Sequence, residues 1–133
     1  MKNFIAFAGA LKVHGTENLP QLGADKTMVG CAGFSSGAAM TNQMAVSSGK
    51  TFKGFAVDAG APYFMTEGAT LDTRTMLNSP QKIDISGINE KIHEFAKEGK
   101  IDDPENLKGK PVYLAVGEDD KSVSAKVVAR TKE

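Results

Sequence analysis

Short apolar runs alternate with helix-like stretches along this chain, and that order constrains the fold more than any other feature. Residues 27–32, 54–59 and 111–116 are apolar and bounded by glycine or proline, the pattern of buried strands. Ser36–Ser47 reads as a helix whose apolar side includes Met40, Met44 and Ala45, with Ser48-Gly49 as its stop. Residues 84–97 form the clearest helix. Ile85, Ile88, Ile92, Phe95 and Ala96 recur at helical spacing, Glu90, Lys91, Glu94 and Lys97 lie outward, and Gly99 closes it. Residues 19–25 read as loop, residues 65–82 as irregular with one short helical turn, and Ser122 onward as helical. The succession strand, helix, strand, excursion, helix, strand, helix implies an α/β fold with a mostly parallel sheet flanked by helices.

Length and charge narrow the functional classes. The 133 residues suit one domain, 1–133, within which residues 1–18 read as an extension or signal-like segment. A formal net charge of zero, with no basic run, argues against a nucleic-acid or membrane-surface partner. No stretch approaches the ~20 apolar residues of a membrane span. The one cysteine, Cys31, lies in an apolar run and reads as a buried structural thiol; alone it offers no metal-ligand spacing. Lys2, a short apolar run and Ala8-x-Ala10 give the start a signal-peptide character, and a first strand is an equal reading of the same residues.

The chemistry-bearing segment is Gly33-Phe34-Ser35-Ser36-Gly37, between the first strand and the first helix. A G-x-S-x-G sequence is common by chance, and its confirming context is a strand before it and a helix after it. In that setting Ser35 occupies a tight strand-to-helix turn that exposes its hydroxyl above the sheet's C-terminal edge. The flanking glycines let backbones approach without Cβ clashes. The N–H of Ser36 then points toward a developing oxyanion at a helix N-terminus. The competing readings are a Gly/Ser-rich strand-to-helix turn with no chemistry and a phosphate-binding turn of a flavodoxin-like or dinucleotide fold.

A serine nucleophile needs a base, and the base needs an orienting acid. Chain order in this fold class is Ser, then Asp or Glu, then His. Gly117-Glu118-Asp119-Asp120 follows the third strand at the edge where active sites gather. A solvated acidic turn is the commoner use of such a cluster, and spacing alone does not choose among Glu118, Asp119 and Asp120.

Taken together, these segments resemble the secreted poly(3-hydroxybutyrate) depolymerase group of esterases over residues 19–128. The matching segments, in order, are Leu19-Pro20 with Asp25, then Gly33-Phe34-Ser35-Ser36-Gly37 with Met40 and Gln43, and Ala59-Gly60-Ala61-Pro62-Tyr63. Ile101-Asp102-Asp103 and Asn106-Leu107 follow, then Val112-Tyr113-Leu114 with Gly117-x-x-Asp120. The resemblance implies a partial α/β-hydrolase-like fold, with Ser35 as nucleophile, Asp120 as triad acid and no cofactor or metal. It also implies hydrolysis of carboxylic esters such as poly(3-hydroxybutyrate) through an acyl-enzyme, and secretion.

The chain departs from the family pattern in three ways. Met65 stands where the family has a Cys, and its partner, expected near Met76, is also absent. Ala61 replaces a Gly. No histidine follows the acid, where the family carries its base. His14 and His93 read as surface or boundary residues, and the second oxyanion donor has no counterpart. The alternative expectation is therefore a catalytically inactive remnant or binding module of the same fold. A sheet of three or four strands is further expected to self-associate through its exposed edge.

Overall fold

A computed structural model describes residue 20 and residues 22–66 and 73–133. The signal-like segment, the 1–18 extension and His14 lie outside the described residues. Three parallel strands form one sheet in the order β1 (Val29–Phe34), β2 (Phe52–Asp58), β3 (Val112–Ala115). The helices are α1 (Ser36–Ser47), α2 (Thr73–Met76), α3 (Ile85–Lys97) and α4 (Ala125–Arg130), with 3-10 turns at Pro80–Lys82 and Pro104–Leu107. This is the expected α/β arrangement.

Local chemistry sets the boundaries. β1 starts two residues later than its apolar run because the Asp25 carboxylate accepts from the Thr27 N–H and hydroxyl, holding residues 25–28 in a turn. β1 continues through Gly33 and Phe34, which pair with Val57 and Asp58. Asp84 caps α3 by accepting from the Gly87 N–H. α4 begins at Ala125 rather than Ser122. The N–H groups of Ser122 and Val123 bond to Asp120 instead, and the Ser124 hydroxyl takes the cap by accepting from Lys126.

The strand register places Cys31, Gly33, Phe55, Val57 and Leu114 on one face. The helices cover that face. Ala45 packs with Phe52 and Phe55, while Val127 and Val128 join Met65, Met76 and Ile83 in the larger core cluster, with Leu114 against it. Cys31 is half-buried, not buried, and its thiol lies 3.6 Å from the Thr41 hydroxyl.

Of the expected apolar side of α1, Ala45 is buried, but Met40 and Met44 are turned outward. The helix's buried residues are Ala38, Thr41, Asn42 and Ala45, whereas Met40 is 59% exposed and Met44 is also exposed. The start of α1 lies close on β1 and on the loop after β2: a Cβ on Gly33 would stand 2.7 Å from the Ala38 nitrogen and one on Gly60 2.9 Å from the Ala38 Cβ, which leaves room for small side chains there.

Among the described residues nothing covers the opposite sheet face. Phe34 and Tyr113, at 68% and 67% exposure, stand on it with exposed Gly30 and Ala32. Parallel sheets are ordinarily covered on both faces.

Candidate active site

The β1–α1 turn has an unusual backbone. Ser35 adopts φ 53° and ψ −117°, the conformation of the first central residue of a type II′ turn, which glycine normally supplies. The surroundings over-determine this geometry. The Ser35 N–H donates to the Asp58 carbonyl at 2.9 Å, and its carbonyl accepts from the Ala39 N–H at 3.0 Å.

Ser35 is the N-cap of α1, yet its hydroxyl makes no capping bond, nor any other hydrogen bond among the described residues. A serine at this position usually satisfies a first-turn N–H. Here the exposed hydroxyl is left free, and the opening N–H groups of α1, including that of Ser36, have no intrahelical acceptor.

The flanking glycines are not equivalent. A Cβ on Gly33 would fall 2.2 Å from the Gly37 carbonyl oxygen and 2.7 Å from the Ala38 nitrogen, so position 33 admits only glycine. A Cβ on Gly37 would meet nothing within 4 Å. The steric expectation therefore holds for Gly33 and fails for Gly37, whose contribution is its backbone rather than its missing side chain.

Ser35 opens onto a cleft of about 440 Å³, lined by Ser36, Gln43, Ala59, Phe64, Met65 and Val123 among others. Two of these residues also have positive φ: Ala59 at 51° and Phe64 at 55°. All three non-glycine residues with left-handed φ among those described thus line one cleft, a concentration of backbone strain typical of functional sites. The sequence carried no sign of strain at Ala59 or Phe64. The one available signal was Gly60, where a Cβ would approach Val57 Cγ1 to 2.5 Å and which forces the loop's path. The buried Asn42 amide anchors that loop by donating to the Ala61 carbonyl at 2.6 Å.

Asp120 lies beyond β3 and is half-buried. Its Oδ1 accepts from the Ser122 N–H at 2.7 Å and the Val123 N–H at 2.9 Å, whereas Oδ2 accepts nothing among the described residues. The Val123 and Ser122 N–H groups hold the carboxyl below its ordinary value. Glu118 and Asp119 are exposed and have no such bonds.

Ser35 and Asp120 both follow C-terminal strand ends on the same sheet edge, with β2 between them. Phe34 pairs with Asp58, Asp58 pairs with Ala115, and the Ala59 N–H donates to the Ala115 carbonyl at 2.8 Å. Two strand spacings set their strand ends ~10 Å apart. His93 is exposed on α3 and does not line the cleft; among the described residues no histidine does. Met65 and Met76 are both buried in the larger core cluster. Among the described residues no three His, Cys, Asp or Glu side chains group as metal ligands, and no helix is long and apolar enough to cross a membrane.

The chain is similar to a poly(3-hydroxybutyrate) depolymerase of Delftia acidovorans, 36% identical over 126 residues that cover 93% of this chain. It spans about a quarter of that relative's length, 26%. No family model and no solved structure matches the chain. The similarity to that depolymerase thus extends over nearly the whole chain, beyond the individual segments.

Proposed function

We propose that this relative of the poly(3-hydroxybutyrate) depolymerases carries the nucleophile and acid of a serine esterase that cleaves carboxylic esters, including poly(3-hydroxybutyrate). The observation that carries the reading is Ser35 itself: an exposed hydroxyl without a hydrogen-bond partner, on a strained turn at a helix N-terminus, facing a cleft. Ser35 Oγ gives its proton to the base and attacks the ester carbonyl, with the Ser36 N–H stabilising the oxyanion; the ester C–O bond breaks, the alcohol leaves with that proton, and water then hydrolyses the acyl-enzyme to free the acid and restore Ser35. Asp120 orients the base. One oxygen is fixed by two backbone N–H groups and the other is free to accept an imidazole N–H. The ~10 Å between the two strand ends leaves room for a ring between them. The base is a histidine from outside the described residues, and secretion follows from the family resemblance.

The test is graft and assay. The purified chain is expected to hydrolyse p-nitrophenyl butyrate at or near background. Fusion to the portion of the Delftia relative that follows the matched region is expected to restore turnover. In the fusion, Ser35→Ala abolishes turnover and Asp120→Asn lowers kcat by about 10⁴, the loss known for a triad aspartate. Robust turnover by the chain alone that Ser35→Ala abolishes would sink the assignment of the base to an outside segment. A fusion that stays inert, though folded, favours the second reading, an inactive remnant or binding module. The absence of a histidine from the described cleft lining supports that alternative.

The open sheet face leads us to propose self-association as well. With zero net charge and Phe34 and Tyr113 exposed on one apolar face, a second copy is its expected cover. Sedimentation velocity should show concentration-dependent association; a monodisperse monomer across the range argues against it.

A further inference from the structure

Phe64 is the bulky one of the three left-handed residues around the Ser35 cleft, and for a large side chain that conformation is an outlier. Its neighbours show how the segment is held. Ala61, Pro62 and Met65 are buried, Ala61 and Met65 in the larger core cluster, whereas Tyr63 and Phe64 between them are half-buried. The core fixes both ends of this stretch and leaves its middle to other contacts.

Those contacts are aromatic. The Phe64 ring stacks on Tyr63 with centroids 5.7 Å apart and an angle of 22°, and it meets the Phe95 ring edge-on at 5.4 Å and 88°. Both are favoured ring geometries. Tyr63 travels with the same loop, so Phe95 is the ring that ties Phe64 to a separate element. Phe95 belongs to α3 and does not itself border the cleft. Its ring is engaged on its own side: Lys91 and Lys100 Nζ lie 5.9 and 5.2 Å from its centroid, within cation–π range. Both ammonium groups also pair with carboxylates, Glu94 and Glu98.

We infer that Phe95 is a positioning residue for the Ser35 cleft: it holds Phe64 in the left-handed conformation that shapes the cleft wall, and so sets the cleft's affinity for apolar esters. The inference rests on the reading of that cleft as the ester site, whose border includes the apolar Ala39, Met65, Leu77 and Val123. Phe95 acts through Phe64 and not on the ligand. An edge-to-face pair shifts a conformational equilibrium by roughly two- to tenfold. A site that is competent only part of the time loses affinity by the same fraction.

The probe is 4-octanone, which is propyl butyrate with a methylene in place of the ester oxygen. It is titrated into the full chain and followed by amide NMR shifts. Saturable shifts are expected at residues bordering the Ser35 cleft, with a dissociation constant on the order of 1 mM. Phe95→Ala should weaken the ketone about two- to tenfold, and Phe95→Tyr, which keeps the ring, should restore affinity to within about twofold. Ile92→Ala trims α3 at a residue that does not border the cleft and should leave affinity within about twofold, which separates positioning from a loosened helix. The amide coupling and backbone carbon shifts of Phe64 report its φ directly. They should leave the left-handed range in Phe95→Ala and keep it in Phe95→Tyr and Ile92→Ala. The inference is overturned if Phe95→Ala changes neither affinity nor the φ of Phe64, if Ile92→Ala weakens the ketone as much, or if no shifts saturate in the cleft by about 5 mM. A ketone cannot be hydrolysed, so these results stand whether or not Ser35 proves to be a nucleophile, whereas the esterase reading fails on turnover in the fusion.

Discussion

The strain at Ser35 makes a quantitative prediction about stability. A non-glycine residue in this conformation costs on the order of 1–3 kcal/mol, held by the surrounding hydrogen bonds. Ser35→Gly removes that cost. It also loosens the unfolded chain, which offsets about 0.5–1 kcal/mol. The net expectation is a gain of about 0.5–2 kcal/mol. For a domain of this size that corresponds to roughly 2–8 °C in Tm. The reference is Ser35→Ala, which keeps the strain and loses only the hydroxyl. Since that hydroxyl has no described hydrogen-bond partner, the alanine variant should lie within about 0.5 kcal/mol of the parent. Thermal melts by circular dichroism, with urea titration as a check, read the difference. If the glycine variant is no more stable than the alanine variant, the turn is not strained and the reasoning fails. If it is more stable, the parent keeps a destabilising serine in this turn, the trade of stability for activity that the proposed nucleophile role of Ser35 entails.

Three further predictions follow from neighbouring positions. Gly33→Ala should be severely destabilising, by about 3 kcal/mol or more, because its Cβ meets backbone rather than a movable side chain; a chemical-denaturation midpoint close to the parent's contradicts it. Asp120 should titrate below 3.8 by carbon-detected NMR. Its contribution to stability is present above its unfolded-state pKa and lost as pH falls through the lowered folded value. Asp120→Asn should flatten that acid limb, and an unaltered limb counts against the two N–H contacts. Met65→Cys with Met76→Cys should oxidise to a disulfide that adds up to about 3 kcal/mol by closing a short loop, less the lost methionine packing. Free thiols after oxidation would show that the two buried positions do not face each other.

The α1 bounds, the three strands and their parallel order were legible because they rest on local signals. The glycine-bounded apolar runs mark the strands, and the Ser48-Gly49 stop ends α1. The facing of α1 was not. Met40 looked like core by periodicity, but the burial pattern depends on how closely Gly33 and Gly60 bring helix and sheet together, a long-range fact. Asp120 illustrates the same division. Its position after β3 could be read directly, whereas spacing could not separate it from Asp119; the Ser122 and Val123 N–H groups distinguish it only once the loop is folded. The strain at Ala59 and Phe64 is a property of a cleft that local sequence does not describe.

The link between Ser35 and Asp120 has a consequence of its own. Peptide groups brace Ser35 to β2 and β2 to the end of β3, from which the Asp120 loop departs: Ser35 N–H to Asp58 carbonyl on one side, Ala59 N–H to Ala115 carbonyl on the other. Peptide groups are common to every residue, so this brace survives side-chain drift along all three strands. The edge behaves as a socket whose two seats keep their separation while their contents are exchanged. A thiol in place of the Ser35 hydroxyl, or an amide in place of the Asp120 carboxylate, inherits the same mounting, and new chemistry could be fitted there without rebuilding the sheet.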